Sequence, residues 1–230
     1  MDKNRNLTQQ MVYDLGKSIV SGQYGVGDGL PSEAELCENF GVSRSATREA
    51  VKMLTAKGLL SSRPRQGIRV MPEAQWNMFD RDVLDWILSS KPSLQLLREF
   101  TQMRLAIEPE AAALVADLGQ EAPLISAALE RMEDAEAGLD DALESDIDFH
   151  ISVLLSSRNR FLMQFKPFVE TALRVSIRYT NQIKGVSIAD ISAHRKIYQA
   201  IKSGDANLAR RRTRAIINEV LELIDNNLDE

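Results

Sequence analysis

A mainly α-helical protein in two parts is predicted by three features of the 230-residue chain. From Leu94 to Leu228 apolar residues recur at helical spacing, with almost none of the alternation that marks a strand. Between Gln10 and Met71 the order is helix, helix, glycine turn, helix, then two short β-like stretches. Charge divides in the same way: residues 1–71 carry +3 and residues 72–230 carry −8, for −5 overall. The expected architecture is a winged helix-turn-helix over 1–71, a linker with some helix over 72–92, and an all-α bundle over 93–230.

Each element has a local reason. Met11, Val12, Leu15, Ile19 and Val20 place one apolar face on a first helix, Gln10 to Ser21, which Gly22 ends. Ser32 and Glu35 fit a capping box, so a second helix starts there, runs to about Phe40 and stops at Gly41. Ser43 is the expected N-cap of a third helix, Arg44 to about Lys57. The strand-like stretches are Leu59–Arg63 and Ile68–Met71, joined through Pro64 to Gly67. In the second part the helical runs are Leu94–Asp117, Leu124–Glu136, Leu139–Ser156, Arg160–Thr180, Ile188–Ser203 and Ala206–Leu228. Pro109, Pro123 and Pro167 are expected to interrupt them, since proline lacks a donor and clashes inside a helix.

Composition narrows the function classes. The single cysteine, Cys37, excludes an internal disulfide and suits a reducing, cytoplasmic compartment. The polar N-terminus has no apolar run behind it, so neither a secretory signal nor a membrane span is expected. The acidic total does not exclude DNA, because binding requires only a local positive surface. Val42 to Val70 supplies one, with seven basic residues and one acid.

The third helix sorts its residues by face. With Arg44 at zero on a wheel of about 100° per residue, Arg48 falls near 40°, Lys52 near 80° and Ser45 near 100°. Ala46, Thr47, Ala50, Met53 and Leu54 cover the opposite arc. A small apolar face seats such a helix, while the cationic face is free to enter the major groove. Arginine suits base reading because its planar fork bonds guanine O6 and N7 together. Ser43 and Ser45 stand near the helix N-terminus, where hydroxyls and free N–H groups hold phosphate. Arg63, Arg65 and Arg69 flank Gly67 at the wing, which can follow the minor groove.

Leu30-Pro-Ser-Glu-Ala-Glu-Leu36, Phe40-Gly-Val-Ser-Arg44, Arg48-Glu-Ala50, Leu54, Gly58-Leu59 and Gly67-Ile-Arg-Val70 together resemble the GntR family of bacterial regulators. The resemblance implies base contacts by Arg44 and Arg48, DNA contact by Ser43, Ser45 and Ala46, and minor-groove contact by Gln66 and Gly67. Many members carry a base-contacting arginine where this chain has Ala34, so operator preference at that contact is expected to differ.

In the helical part, Asp146 and His150 are spaced i, i+4, so they share a helix face and can converge on one point. Arg104 stands in an otherwise apolar helix and needs a partner, either Glu108 at i+4 or a ligand carboxylate. Arg104-Leu-Ala-Ile-Glu108, Asp146-Ile-Asp-Phe-His150, Asn159 and His194 with the residues to Asp205 resemble the FCD domain of the fatty-acid-regulator-like subgroup. That resemblance implies a dimeric all-α domain that binds a small acid, often beside a metal. It also favours the ligand carboxylate for Arg104.

The chain's two histidines, His150 and His194, both fall on the subgroup's ligand positions. With Asp146 they form a candidate set for Zn, Ni or Mn. Ile216 stands where many members place a third histidine, so the expected protein set is three ligands. The alternative is a hydrogen-bonded Asp146–His150 pair in a polar cavity, with His194 in its wall. Arg174 aligns with the pocket-bearing helix and is a candidate second contact for the effector, although a surface salt bridge also explains it.

Gln75-Trp-Asn77, Asp82-Val-Leu-Asp-Trp86 and Leu15-Gly-Lys17 resemble a sugar-acid-responsive branch of the family, which implies a galactonate-like aldonate or uronate effector. Ordinary packing equally explains Trp76 and Trp86. The expected function is a homodimeric repressor of a sugar-acid catabolic operon, bound to double-stranded operator DNA and released by a small carboxylate. The alternatives are a regulator of another organic-acid pathway and a metal-dependent hydrolase. The hydrolase lacks a further base, nucleophile or glycine-rich phosphate loop, so no enzyme is expected.

Overall fold

The computed structural model describes residues 6–89, 93–184 and 190–228. The chain divides into two compact units, Met1–Lys91 and Pro92–Glu230.

The first unit opens with α1 (Leu7–Val20), α2 (Glu33–Phe40) and α3 (Arg44–Ala56). Capping explains where they start. The Asn6 side chain accepts from Gln9 N and begins α1, while Ser32 and Glu35 form the predicted capping box at α2. Gly41 ends α2 at φ 63°, a left-handed turn open to glycine without a Cβ penalty. Ser43 caps α3, its Oγ accepting from Ala46 N at 3.2 Å. Strands β1 (Leu60–Arg63) and β2 (Gly67–Val70) pair antiparallel, with Arg63 opposite Gly67. The wing tip is therefore Pro64, Arg65 and Gln66, and Arg65 itself takes a left-handed φ of 64°. The loop before α2 joins the sheet through an antiparallel bridge between Gly29 and Arg69. Arg69 accordingly folds back, donating to the Gly27 carbonyl at 3.0 Å, and braces that loop.

The segment expected as a linker is largely part of this unit. A single 3-10 turn (Glu73–Gln75) and α4 (Arg81–Ser89) follow β2. Trp76, Val83 and Trp86 lie in the same buried core as Leu15, Leu36 and Leu54. Trp76 Nε1 donates to the Met71 carbonyl at 2.9 Å, and Asn77 N to the Lys57 carbonyl at 2.9 Å. Lys57, the C-cap of α3, pairs with Asp80 and Asp82 at 2.7 Å each. The apolar residues of α4 gain more by packing on α1 and into the shared core than by standing free in a tether. Residues 90–92 lie outside the described residues.

The two short motifs Leu15-Gly-Lys17 and Asp82–Trp86 turn out to be one contact. A Cβ on Gly16 would lie 2.3 Å from Trp86 Cζ3, so glycine is what lets the indole reach α1. Gly16→Ala is expected to displace Trp86 and destabilise the first unit by about 1–3 kcal/mol, the usual cost of overpacking. The change reads out as a red-shifted tryptophan emission and an earlier melting transition of the full chain. Unchanged emission and melting would show that α4 is not seated by this contact.

The second unit contains α5 (Leu94–Asp117), α6 (Pro123–Glu136), α7 (Ala142–Ser156), α8 (Arg160–Met163), α9 (Lys166–Lys184), α10 (Ile191–Lys202) and α11 (Ala206–Leu228). Helices α5 and α11 lie along one another most extensively, with α6 packed on α7 and α10 on α11. The three prolines behave differently. Pro123 opens α6, where its missing N–H is no loss. Pro167 lies in the first turn of α9, so the single helix expected over Arg160–Thr180 is two. Pro109 is buried inside an unbroken α5, where packing on both sides outweighs the lost backbone bond. The expected start of α10, Ile188 and Ala189, lies outside the described residues.

Candidate functional sites

The first site is the outer face of α3 with the wing tip. Ser43, Arg44, Ser45 and Arg48 are exposed, and Ala46 is half-buried. Thr47, Ala50, Val51 and Leu54 are buried beneath them, the two-faced arrangement that the wheel predicts. Ser43 Oγ and Ser45 Oγ lie 2.9 Å apart at the helix N-terminus. Arg48 Nε donates to Glu33 Oε2 on α2 at 3.0 Å. The two terminal nitrogens of Arg48 make no hydrogen bond among the described residues, and the side chain is exposed. Arg65, Gln66 and Gly67 are exposed at the hairpin tip.

The second site is a buried polar cluster in the helical unit. Asp146 and His150 come from α7, one turn apart, His194 from the first turn of α10, and Arg104 and Glu108 from α5. All five are buried. Arg104 Nε donates to Glu108 Oε1 at 2.6 Å, and its Nη2 lies 3.3 Å from Oε2 and 3.2–3.3 Å from the His150 ring nitrogens. The sequence left Arg104 a choice of partners, and Glu108 takes it. Burial by itself would raise the Glu108 carboxyl, but Arg104 and His150 beside it prevail and hold it at about 2.

The orientation of the two imidazoles decides what the cluster can hold. His150 Nδ1 lies 2.8 Å from Glu108 Oε2, and His194 Nδ1 lies 2.7 Å from the Asp190 carbonyl. Both partners only accept, so each Nδ1 carries the proton and each Nε2 presents a lone pair. Those Nε2 atoms face Asp146 Oδ1, at 3.5 Å from His150 and 3.3 Å from His194. Asp146 Oδ1 and His194 Nε2 are buried without a hydrogen-bond partner.

Asp146 Oδ1 and His194 Nε2 face each other without a hydrogen-bond partner, and a cation between them would satisfy both, while His150 Nε2 also lies 3.2 Å from Arg104 Nη2. The proton is one answer: burial opposes charge on His150, yet Glu108 and Asp146 outweigh this and raise its pKa. Burial also opposes charge on Asp146, yet the two histidines hold its carboxyl well below the usual range. A divalent metal is the other answer, and the donors fit it. Tetrahedral ligands at about 2.0–2.1 Å from zinc stand about 3.3 Å apart. All three donor atoms lie within 4.8 Å of one another. Glu108 and the Asp190 carbonyl supply the outer hydrogen bonds that orient metal-binding imidazoles.

A cavity opens beside this cluster. Its walls include Arg104, Asp146, His150 and His194, with Ile177, Thr180 and Asn181 from α9 and Ile216, Glu219 and Val220 from α11. Ile216 thus stands in the cavity wall, offering hydrocarbon where a histidine would offer nitrogen. Arg174 is not among the residues that line this cavity, and the salt-bridge alternative for it is the one seen. It lies three to seven residues before Ile177, Thr180 and Asn181 on α9, and Glu144 in the first turn of α7 holds its guanidinium in an ion pair. Sequence reasoning passed over Glu108 as an outer partner of His150, and over Thr180, Asn181 and Glu219. Only Glu108 left a signal, its i, i+4 spacing from Arg104.

A winged helix-turn-helix unit followed by a helical unit with a buried polar cavity is the plan of a ligand-responsive DNA-binding regulator. The family models for "Bacterial regulatory proteins, gntR family" and "FCD domain" match residues 7–70 and 99–219. The chain belongs to the GntR family and is a transcriptional regulator with an FCD domain. It is 34% identical over 217 residues to the uncharacterized HTH-type transcriptional regulator YieP of Escherichia coli K12, covering 93% of each chain. It is 33% identical over 207 residues to the galactonate operon transcriptional repressor of the same organism, covering 89% of this chain and 90% of that one. Among solved structures, Lar of Listeria monocytogenes shares the fold with a TM-score of 0.61 at 22% identity, over 98% and 99% of the two chains. These relatives are regulators rather than enzymes. Among the described residues no helix is long and apolar enough to cross a membrane.

Proposed function

We propose that this protein represses a sugar-acid catabolic operon and leaves its operator when a galactonate-like aldonate or uronate enters the α-helical cavity. The observation that carries this reading is the cavity itself, with the Arg104 guanidinium beside the Asp146, His150 and His194 cluster. The similarity to a galactonate operon repressor supports the choice of acid. Two copies, related by a two-fold axis, present their α3 faces to a pseudo-palindromic operator. Arg44 and Arg48 read bases, Ser43, Ser45 and Ala46 meet the backbone, and Arg65, Gln66 and Gly67 follow the minor groove.

In the effector site, Asp146, His150 and His194 hold a divalent metal (Zn, Ni or Mn). Bound there, the metal supplies a fixed positive charge for a carboxylate or hydroxyl oxygen. Arg104 adds a second, since its Nη1 makes none of the hydrogen bonds found among the described residues. Release requires that the acid bind the DNA-free state more tightly, by about 1–3 kcal/mol for an ordinary coupling.

Fluorescence anisotropy of labelled operator, titrated with D-galactonate, a panel of other aldonates and uronates, and unhydroxylated carboxylates of similar length, tests this. The expected result is a 5- to 150-fold loss of operator affinity with at least one of them, the range that such a coupling implies. No loss with any of them rejects the sugar-acid reading, and loss with an unhydroxylated acid alone redirects it to another organic-acid pathway.

A further inference from the structure

Most polar groups in the cavity wall are already engaged. Arg104 is held by Glu108 and His150, and the Asp190 side chain caps α10 by accepting from Ala193 N. The Thr180 hydroxyl donates back to the Ser176 and Ile177 carbonyls of its own helix. Glu219 has a partner as well. Asn181 differs: it is half-buried in the wall, and its amide makes no hydrogen bond among the described residues. Ile177 and Ile216 line the same cavity and offer it nothing polar.

An amide offers two N–H donors and a carbonyl acceptor in one plane. A hydroxyl both donates and accepts, so a neighbouring pair of hydroxyls matches that set, one accepting from the amine and the next donating to the carbonyl. A hydrocarbon chain in the same place strands the amide away from water. A site built to bond a hydroxyl discriminates strongly against the analogue that lacks it, for that reason.

We infer that Asn181 is the specificity-determining side chain of the effector site, reading the chain hydroxyls of a polyhydroxylated carboxylate. The acid end of the ligand lies toward Arg104 and the Asp146, His150 and His194 cluster, and the hydroxylated chain lies along α9. This rests on the sugar-acid reading above and adds to it the residue that separates an aldonate from a plain fatty acid of equal length.

Isothermal titration of the full-length protein with D-galactonate and with hexanoate, both six-carbon monocarboxylates, tests the inference on wild type, Asn181→Ala and Asn181→Ser. Wild type is expected to prefer galactonate by at least about 10-fold. Asn181→Ala loses that preference mainly through weaker galactonate binding, and Asn181→Ser, which keeps one hydroxyl, falls between. Ligand-free melting of both variants stays close to wild type, as suits a half-buried side chain without a hydrogen-bond partner among the described residues. If wild type binds galactonate and Asn181→Ala keeps the same preference, or weakens both acids equally, the role of Asn181 is overturned while the sugar-acid reading stands. If wild type binds galactonate no better than hexanoate, the role of Asn181 is overturned, and if the operator titration also finds no aldonate or uronate that acts, both readings fall together.

Discussion

Replacing Arg48 with alanine is expected to lower affinity for the selected operator by about 100-fold or more, with a loss of only a few-fold on unrelated DNA. The asymmetry follows from what the side chain is placed to do. Its Nε is tied to Glu33, so the guanidinium presents its two terminal nitrogens as a fork from the exposed face of α3. One good arginine–guanine pair is worth roughly 1–3 kcal/mol of discrimination, and a two-fold assembly uses it twice. Non-specific binding depends on total positive charge and loses only one contribution per copy. Lys52→Ala is the control. Lysine on the same face is a phosphate contact, so its loss weakens operator and random DNA alike. The measurement is anisotropy on both DNAs at one fixed salt concentration. Operator preference surviving in Arg48→Ala would move base reading off this face of α3.

Glu108→Ala is expected to be the most destabilising single change in the helical unit, by about 3–5 kcal/mol. It leaves Arg104, 3% exposed, without its counter-charge, and His150 without the acceptor that orients its ring. A loss of that size lowers the melting transition of this unit by on the order of 10 °C or more. Glu108→Gln separates charge from shape, keeping the volume and one acceptor while removing the carboxylate, and it should lie between.

The same pair imposes an acid limit. Glu108 titrates at about 2 in the folded chain against 4.5 in the unfolded one, so its contribution to stability is complete above 4.5 and is lost as pH falls toward 2. Wild-type stability should therefore fall more steeply across that window than that of Glu108→Gln. Thermal denaturation between pH 5 and 2.5 reads this directly. Parallel slopes would mean that the carboxylate is not held down by Arg104 and His150.

Much of the molecule was legible because its causes are local. The capping box at Ser32 and Glu35, the Ser43 cap, Gly41 and the hairpin around Gly67 are short-range chemistry, and each element begins or ends where that chemistry says. The two faces of α3 follow from a 100° step, and the Asp146–His150 pair from an i, i+4 step. Family motifs added His194 to that pair. Pro109 and the 72–92 segment show the opposite reason at work. A proline inside a helix and an apolar stretch after a wing each have a local meaning, and burial against distant residues overrode both.

Local chemistry in the chain set the order of helices, the exposed cationic face of α3 with Arg44 and Arg48, and the types of residue able to hold an acid or a metal. Tertiary structure decided which of them meet. It gave Arg104 to Glu108 and turned the Nε2 atoms of two histidines toward one carboxylate oxygen. It paired Arg174 with Glu144, and brought Asn181 into the cavity wall. The physical reason is range: caps, turns and helical periods act over three or four residues, whereas contacts such as Arg174–Glu144, His150–Glu108 and His194–Asp146 join side chains 30 to 48 positions apart and exist only once the helices have packed.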